Sequence, residues 1–186
     1  MTDIVDTRAE AARLASPPLI VRDALADYLA ASGIGDGPVQ VTRIGEGQSN
    51  VTFGLEVAGR QLVLRRGPRP PHPPTTHDMA REARVQKLLE AEGFPVPHVV
   101  AVCDDTSVLG VPFYLMERLD GEVITDAIPG ILDTAEHRPG IALAAVDTLA
   151  ALHAINVREG EIATLGKPDG YLRRQVERFA SIWSTV

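Results

Sequence analysis

The chain has 186 residues, 45% hydrophobic and 23% charged, which is ordinary globular composition with room for a substantial core. A net charge of −7 argues against a general nucleic-acid binder, although Arg65, Arg66 and Arg69 form a local basic patch. A single cysteine, Cys103, excludes an internal disulfide framework and is expected as a small buried hydrophobe. The opening MTDIVDTRAEAARLAS carries acids and no apolar centre, and no apolar run reaches membrane-spanning length, so no signal peptide, no membrane contact and a cytoplasmic protein are expected.

In chain order, residues 1–17 are polar, weakly patterned and expected as a loosely held extension, closed by Pro17-Pro18. Leu19, Val21, Leu25, Tyr28 and Leu29 then fall near helical spacing, with Gly33 as the stop. Gly35-Asp36-Gly37-Pro38 reads as a turn. A short strand over 40–44 leads into Gly45-Glu46-Gly47-Gln48-Ser49-Asn50. Two glycines with small polar neighbours let a backbone approach a ligand closely, and freed N–H groups in such a turn suit phosphate oxygens. Gly-x-Gly turns also occur in many hairpins, so the glycines alone decide nothing.

Val51, Phe53, Leu55 and Val57 alternate with period two, Ala58-Gly59-Arg60 is a tight connection, and Leu62-Val63-Leu64 continues a three-strand meander. A meander rather than a βα unit after the glycines excludes a dinucleotide-binding fingerprint. Five prolines between Pro68 and Pro74 exclude helix or central strand and read as a stiff surface linker. Met79, Ala83, Val85, Leu88 and Leu89 predict a helix over 76–92, capped by Thr76 or Asp78 and ended by Gly93. Strands are expected over 99–103 and 111–117, joined by a turn at 104–107. Beyond Gly121 the chain is loop-rich, then helical over 141–155 along Ile141, Ala145, Leu149, Leu152 and Ile155, and helical again from about Tyr171 to Trp183. His72, His77, His98 and His137 show no metal-ligand spacing.

Glycine hairpin, strand ending in a cation, helix with a glutamate, two strands, an acidic-apolar segment and then helices: this order resembles the small lobe of a protein-kinase-like fold followed by the start of its large lobe. The segments GEGQSNVTF, LVLRRGP, REARVQKLLEAEGFPVPHVV, CDDTSVLGVPFYLMERLDGEVI and LAALHAINV resemble the aminoglycoside phosphotransferase and choline kinase-like family. The branch they resemble is the one related to the kinase-like domains fused to acyl-CoA dehydrogenases. The likeness runs from about residue 19 onward and covers only the family's N-terminal half. It implies an α+β fold, with residues 1–37 as extension and helix, 38–120 as a nucleotide-binding lobe with a five-stranded antiparallel sheet and one helix, and 121–186 as the start of a helical lobe.

The resemblance also implies roles. The turn from Gly45 through Gly47, Ser49 and Asn50 would cover the phosphates of ATP, and Val51 would form a ceiling over the adenine. Arg65 stands where kinases carry a strand lysine on the α- and β-phosphates. Arginine keeps the charge but replaces a point-like ammonium with a planar fork. Glu82 would pair with it from the helix. Arg66 is expected on the opposite face as a solvated edge charge, and Arg81, Arg84, Glu90 and Glu92 as solvated helix surface. Met116 would flank the adenine, and Glu117 to Leu119 would be the hinge, with Asp120-Gly121 letting it flex. His153 would support its helix and do no chemistry.

In the family a His-Gly-Asp catalytic loop, an asparagine and a metal-binding aspartate follow, and residues 157–186 contain none of them. Asp169 falls in a loop and is not the base. No catalytic or metal-binding residue is therefore assigned within the chain, and Mg2+ would be held by the half that is not present. The expectation is a partial ATP-dependent kinase for a hydroxyl of an unidentified small metabolite, inactive by itself, and self-associating through apolar helix surface that the other half would cover. Two other readings stand beside it: a non-catalytic nucleotide-binding or interaction module, and a scaffold without a nucleotide site.

Overall fold

The structure, a computed structural model, describes residues 2–45, 50–71, 77–166 and 169–183. The chain forms two compact units, Met1–His137 and Arg138–Val186. In the first unit the strands β3 (Gln40–Ile44), β4 (Val51–Val57), β5 (Arg60–Arg66), β6 (Val99–Cys103) and β7 (Phe113–Glu117) build an antiparallel sheet in the order β3-β4-β5-β7-β6. The fold is α+β, as the family resemblance implies.

The β4–β5 hairpin turns on only Ala58 and Gly59, both at positive φ (49° and 74°). Such a mirror-image turn matches the twist of the flanking strands. It fixes the pairing of Val51 with Arg66, Thr52 with Arg65 and Phe53 with Leu64. Because side chains alternate across the pleat, every row of paired residues lies on one face. Val51, Phe53, Leu55, Leu64, Phe113 and Leu115 fall on the face that holds the main core. Helix α2 (Arg22–Ala31) closes that core through Leu25 and Leu29, both fully buried. Gly33, at φ +66°, ends the helix as expected. Helix α3 (Met79–Ala91) lies over the other face, where Met79 and Ala83 meet Val99 and Tyr114. Asp78 caps it by accepting a 2.9 Å bond from the Arg81 N–H. Cys103 is buried, and burial pushes its thiol up from the ordinary value.

The turn expected at 104–107 is tighter than a plain loop: Asp105 caps a one-turn helix α4 (Thr106–Leu109), and the following strand starts only at Phe113. The expectation of a loose N-terminal extension is also overturned. Residues Ile4–Val5 form a strand β1 that pairs in parallel with β2 (Ile20–Val21), and Thr7 and Glu10 cap helix α1 (Arg8–Ala11) reciprocally. The arm is then pinned by its Asp3. Its carboxylate meets Arg43 at 2.6 Å and Arg69 at 2.7 Å, and the Arg69 hydrogen bond holds the acid below its ordinary range. These partners lie 40 and 66 residues away, so local patterning could not reveal them.

A second correction concerns Arg66. It occupies the face opposite Arg65 but is not solvated: it is 1% exposed, bonded to the carbonyls of Leu19 and Gly67. Burial lowers its pKa to about 10, which still leaves it charged at neutral pH. The carbonyl of Leu19 belongs to the chain entering β2, so Arg66 ties the arm to the sheet from inside.

The second unit contains α5 (His137–Ala154) from its second residue on, a short 3-10 helix (Glu161–Leu165) and α6 (Tyr171–Trp183). Leu172, Val176, Phe179 and Trp183 recur at helical spacing along α6 and are exposed, Trp183 to 85%. Leu143, Val146 and Leu149 of α5 are exposed as well. Among the described residues no helix is long and apolar enough to cross a membrane.

Replacing Arg66 tests its structural role. Arg66→Ala leaves two carbonyls without their donor and a void in the core, and should cost about 3–5 kcal/mol in urea unfolding. Arg65→Ala, on the partly exposed face, should cost about 1 kcal/mol in the same measurement.

Candidate functional site

The face of the sheet opposite the main core carries the site. Its central row, read across the pairing, is Ile44, Thr52, Arg65 and Tyr114. The next row is Thr42, Gly54, Val63 and Met116. Gly54 has no side chain for a physical reason: a Cβ there would lie 3.0 Å from Cδ1 of Ile44. The glycine thus lets Ile44 lie down over β4 and keeps this part of the surface low.

Arg65 reaches from this row to Glu82 on the first turn of α3. Its Nε lies 2.5 Å from Oε1 of Glu82, off the hydrogen-bonding direction, so the contact is a close ion pair rather than an aligned hydrogen bond. Both side chains are about one-third exposed, at 29% and 31%. A pair at about 4 Å and an effective dielectric near 20 gains on the order of 4 kcal/mol, much of which desolvation offsets. The pair therefore orients the guanidinium more than it stabilises the fold.

Glu82 holds more than Arg65. The hydroxyl of Tyr114 donates to Oε1 at 2.8 Å, and Nδ2 of Asn50 donates to Oε2 at 3.0 Å. The amide of Asn50 is oriented by this contact, because a carboxylate only accepts. Its Oδ1 is then left facing Nδ1 of His77 at 2.7 Å, which requires the tautomer with the proton on Nδ1. His77 sits at φ +58° immediately ahead of the helix cap. Tyr114 is fully buried; burial, reinforced by its bond to Glu82, pushes its phenol far above the ordinary value. It stays a hydrogen-bond donor throughout the physiological range.

The structure thus brings Asn50, Arg65 and Glu82 together. Gly47 and Ser49 lie outside the described residues. Gly45 is at φ +71°, a left-handed conformation that favours glycine, at the end of β3. Val51 does not share the surface of Arg65. The pleat turns it to the opposite face, where it lines a separate cavity of about 360 Å³ with Asp3, Leu19, Arg43 and Arg69. Thr52 and Val63 stand on the Arg65 side instead. Met116 is half-buried on that side, its Sδ accepting from Nε2 of Gln86 at 3.5 Å. Glu117 donates its N–H to the carbonyl of His98 at 2.9 Å, and Leu119, beyond the strand, is 62% exposed.

A cavity of about 390 Å³ is lined by Gln40, Thr42, Gly54, Glu56, Gln61 and Arg118, among others. Its volume suits a small organic ligand. Arg65 and Glu82 are not among its walls, so the cavity and the ion pair are neighbouring parts of one face, not one pocket. Among the described residues no group of three or more His, Cys, Asp or Glu side chains could hold a metal ion. Sequence reading missed Tyr114 and His77. Tyr114 carries no motif; only its pairing opposite Arg65 exposes its role.

The sequence pattern of the phosphotransferase enzyme family (APH) matches residues 40–184. The chain belongs to this family. Acyl-CoA dehydrogenase family member 10 of Mus musculus is 36% identical over 163 residues, which cover 85% of this chain and 15% of that protein. Family member 11 of Gallus gallus is 41% identical over 140 residues, 75% of this chain and 18% of that protein. The chain therefore spans less than a fifth of either relative. A crystal structure from Ralstonia eutropha, classed with the aminoglycoside phosphotransferases, superposes with a TM-score of 0.66 at 31% identity, covering 88% of this chain and 47% of that one. The sheet and helices of the chain thus follow the kinase-like fold of the phosphotransferase family.

Removing the shared carboxylate tests the arrangement. Glu82→Ala leaves a buried Tyr114 hydroxyl without its acceptor and should lower stability by about 1–3 kcal/mol in urea unfolding. Glu82→Gln, which restores an acceptor, should recover about half of that loss.

Proposed function

We propose that the chain supplies the nucleotide-holding part of an ATP-dependent phosphotransferase that moves the γ-phosphate to a hydroxyl of a small metabolite. In this reading residues 38–120 carry the nucleotide and residues 121–186 begin the helical lobe. The observation that carries it is the guanidinium of Arg65, held by Glu82 on a sheet face beside a ligand-sized cavity, in a chain of the phosphotransferase family. A cation fixed by a carboxylate on the next element binds phosphate oxygens without having to find its own geometry.

Arg65 would hold the phosphates, and the backbone around Gly45 would close over them. Thr52, Val63 and Met116 lie on the face that a base would rest against, and Leu119 and Glu117 would flank it through the chain leaving β7. Bound ATP would supply the transferable phosphoryl group. The side chain of Asn50 is engaged by Glu82 and His77, so its part is to tie the start of β4 to α3 rather than to bind phosphate directly. No residue of the chain is assigned to Mg2+.

A positioned base contributes about 10²–10⁴ in rate, and a metal on the phosphate adds several kcal/mol of stabilisation. With neither assigned here, binding and turnover should separate. Titration calorimetry should show ATP binding to the 186-residue chain, weakened at least about tenfold by Arg65→Ala. The same preparation should form no phosphorylated product from small hydroxyl metabolites. An ATP-dependent product would overturn the second part, and an unchanged Arg65→Ala titration the first.

The exposed apolar stripe of α6 further supports self-association of the isolated chain. Light scattering should give a mass above that of one 19.9 kDa chain, rising with concentration; a clean monomer would overturn it.

A further inference from the structure

We infer that Tyr114 is a positioning residue for Arg65, setting through Glu82 where the guanidinium stands. The inference rests on the reading of Arg65 as the phosphate-binding cation. A glutamate side chain has several rotatable bonds, and one guanidinium in an ion pair off the hydrogen-bonding direction does not fix its carboxylate. Tyr114 can fix it. The ring is fully buried between α3 and the sheet, where it packs with Met79 and Ala83. Its backbone pairs directly with that of Arg65, so the hydroxyl and the guanidinium rise from adjacent strands on one face. The hydroxyl and Nε of Arg65 converge on the same oxygen, Oε1 of Glu82, at 2.8 and 2.5 Å.

The other oxygen, Oε2, is taken by Asn50 at the end of the glycine turn. Each oxygen of Glu82 therefore has its own assignment, and the carboxylate cannot rotate without breaking one of them. The contact to Arg65 is through Nε, the nitrogen nearest the main chain. The terminal nitrogens lie further along the side chain, and they are the end suited to a bidentate phosphate contact.

The test compares ligands with and without phosphate. ATP, ADP and adenosine are titrated into the wild-type 186-residue chain and into Tyr114→Phe, which removes one oxygen and keeps the buried ring. ATP and ADP affinity should fall by about five- to tenfold, while adenosine binding stays within about twofold. In a Glu82→Ala background, Tyr114→Phe should produce no further loss of ATP affinity, because the hydroxyl acts through that carboxylate.

Equal ATP binding by the two chains overturns the inference. So does a Tyr114→Phe chain that loses adenosine in parallel or fails to fold, since either makes the hydroxyl a structural group. An additive loss in the Glu82→Ala background overturns it too. A wild-type chain that binds no ATP instead overturns the underlying reading of Arg65, and the inference falls with it.

Discussion

The carboxylate of Glu82 is the point on which the site depends. It gathers a guanidinium from β5, a phenol from β7 and an amide from the end of the glycine turn onto one helix. Its own position follows from the Asp78 cap, which starts α3 one turn before it, and from Met79 and Ala83, which seat the helix on the sheet. None of these contacts is strong alone. Their value is that three segments distant in sequence share a single acceptor, so the arrangement of each constrains the other two.

The sheet divides its cations by the pleat. Arg65 and Arg66 are adjacent in sequence and opposite in environment. One is partly solvated and oriented by a carboxylate; the other is sealed in the core and satisfied by carbonyl oxygens. The buried member needs no counter-charge of its own element because backbone dipoles serve it, at the expense of a lowered pKa. The arm from Thr2 to Leu19 is held by the same logic. Arg66 takes its carbonyl at Leu19, and Arg69 takes its carbonyl at Pro17 and its acid at Asp3.

The sheet and α3, with Asp78 as one of its two candidate caps, were legible in the sequence because each leaves a local trace: a period of two, an apolar stripe or a capping acid; the pairing of Arg65 with Glu82 was legible only through the family resemblance. What was not legible depended on contacts across the chain. The arm looked loose because its anchors are Arg43 and Arg69. Arg66 looked solvated because a charge at a strand end usually is. Val51 was expected over a nucleotide, yet the strand pairing, which puts Thr52 opposite Arg65, turns Val51 toward the core. Its alternation was visible; which set of alternating residues faced which way was not, until the row containing Arg65 was fixed. Tyr114 left no trace because a buried aromatic in a strand is ordinary until its hydroxyl has a named acceptor.

One consequence follows from the two-residue turn at Ala58-Gly59. Along β5 the sequence Leu62-Val63-Leu64-Arg65-Arg66 is nearly self-similar under a shift of one position: aliphatic replaces aliphatic and arginine replaces arginine. The strand's composition therefore penalises such a shift only weakly, although the shift would exchange the solvated and sealed cations and turn the whole strand over. The information that forbids it sits in the hairpin's length. Two residues at the end of the hairpin thus decide which of two identical side chains stands beside Glu82 and which is sealed in the core.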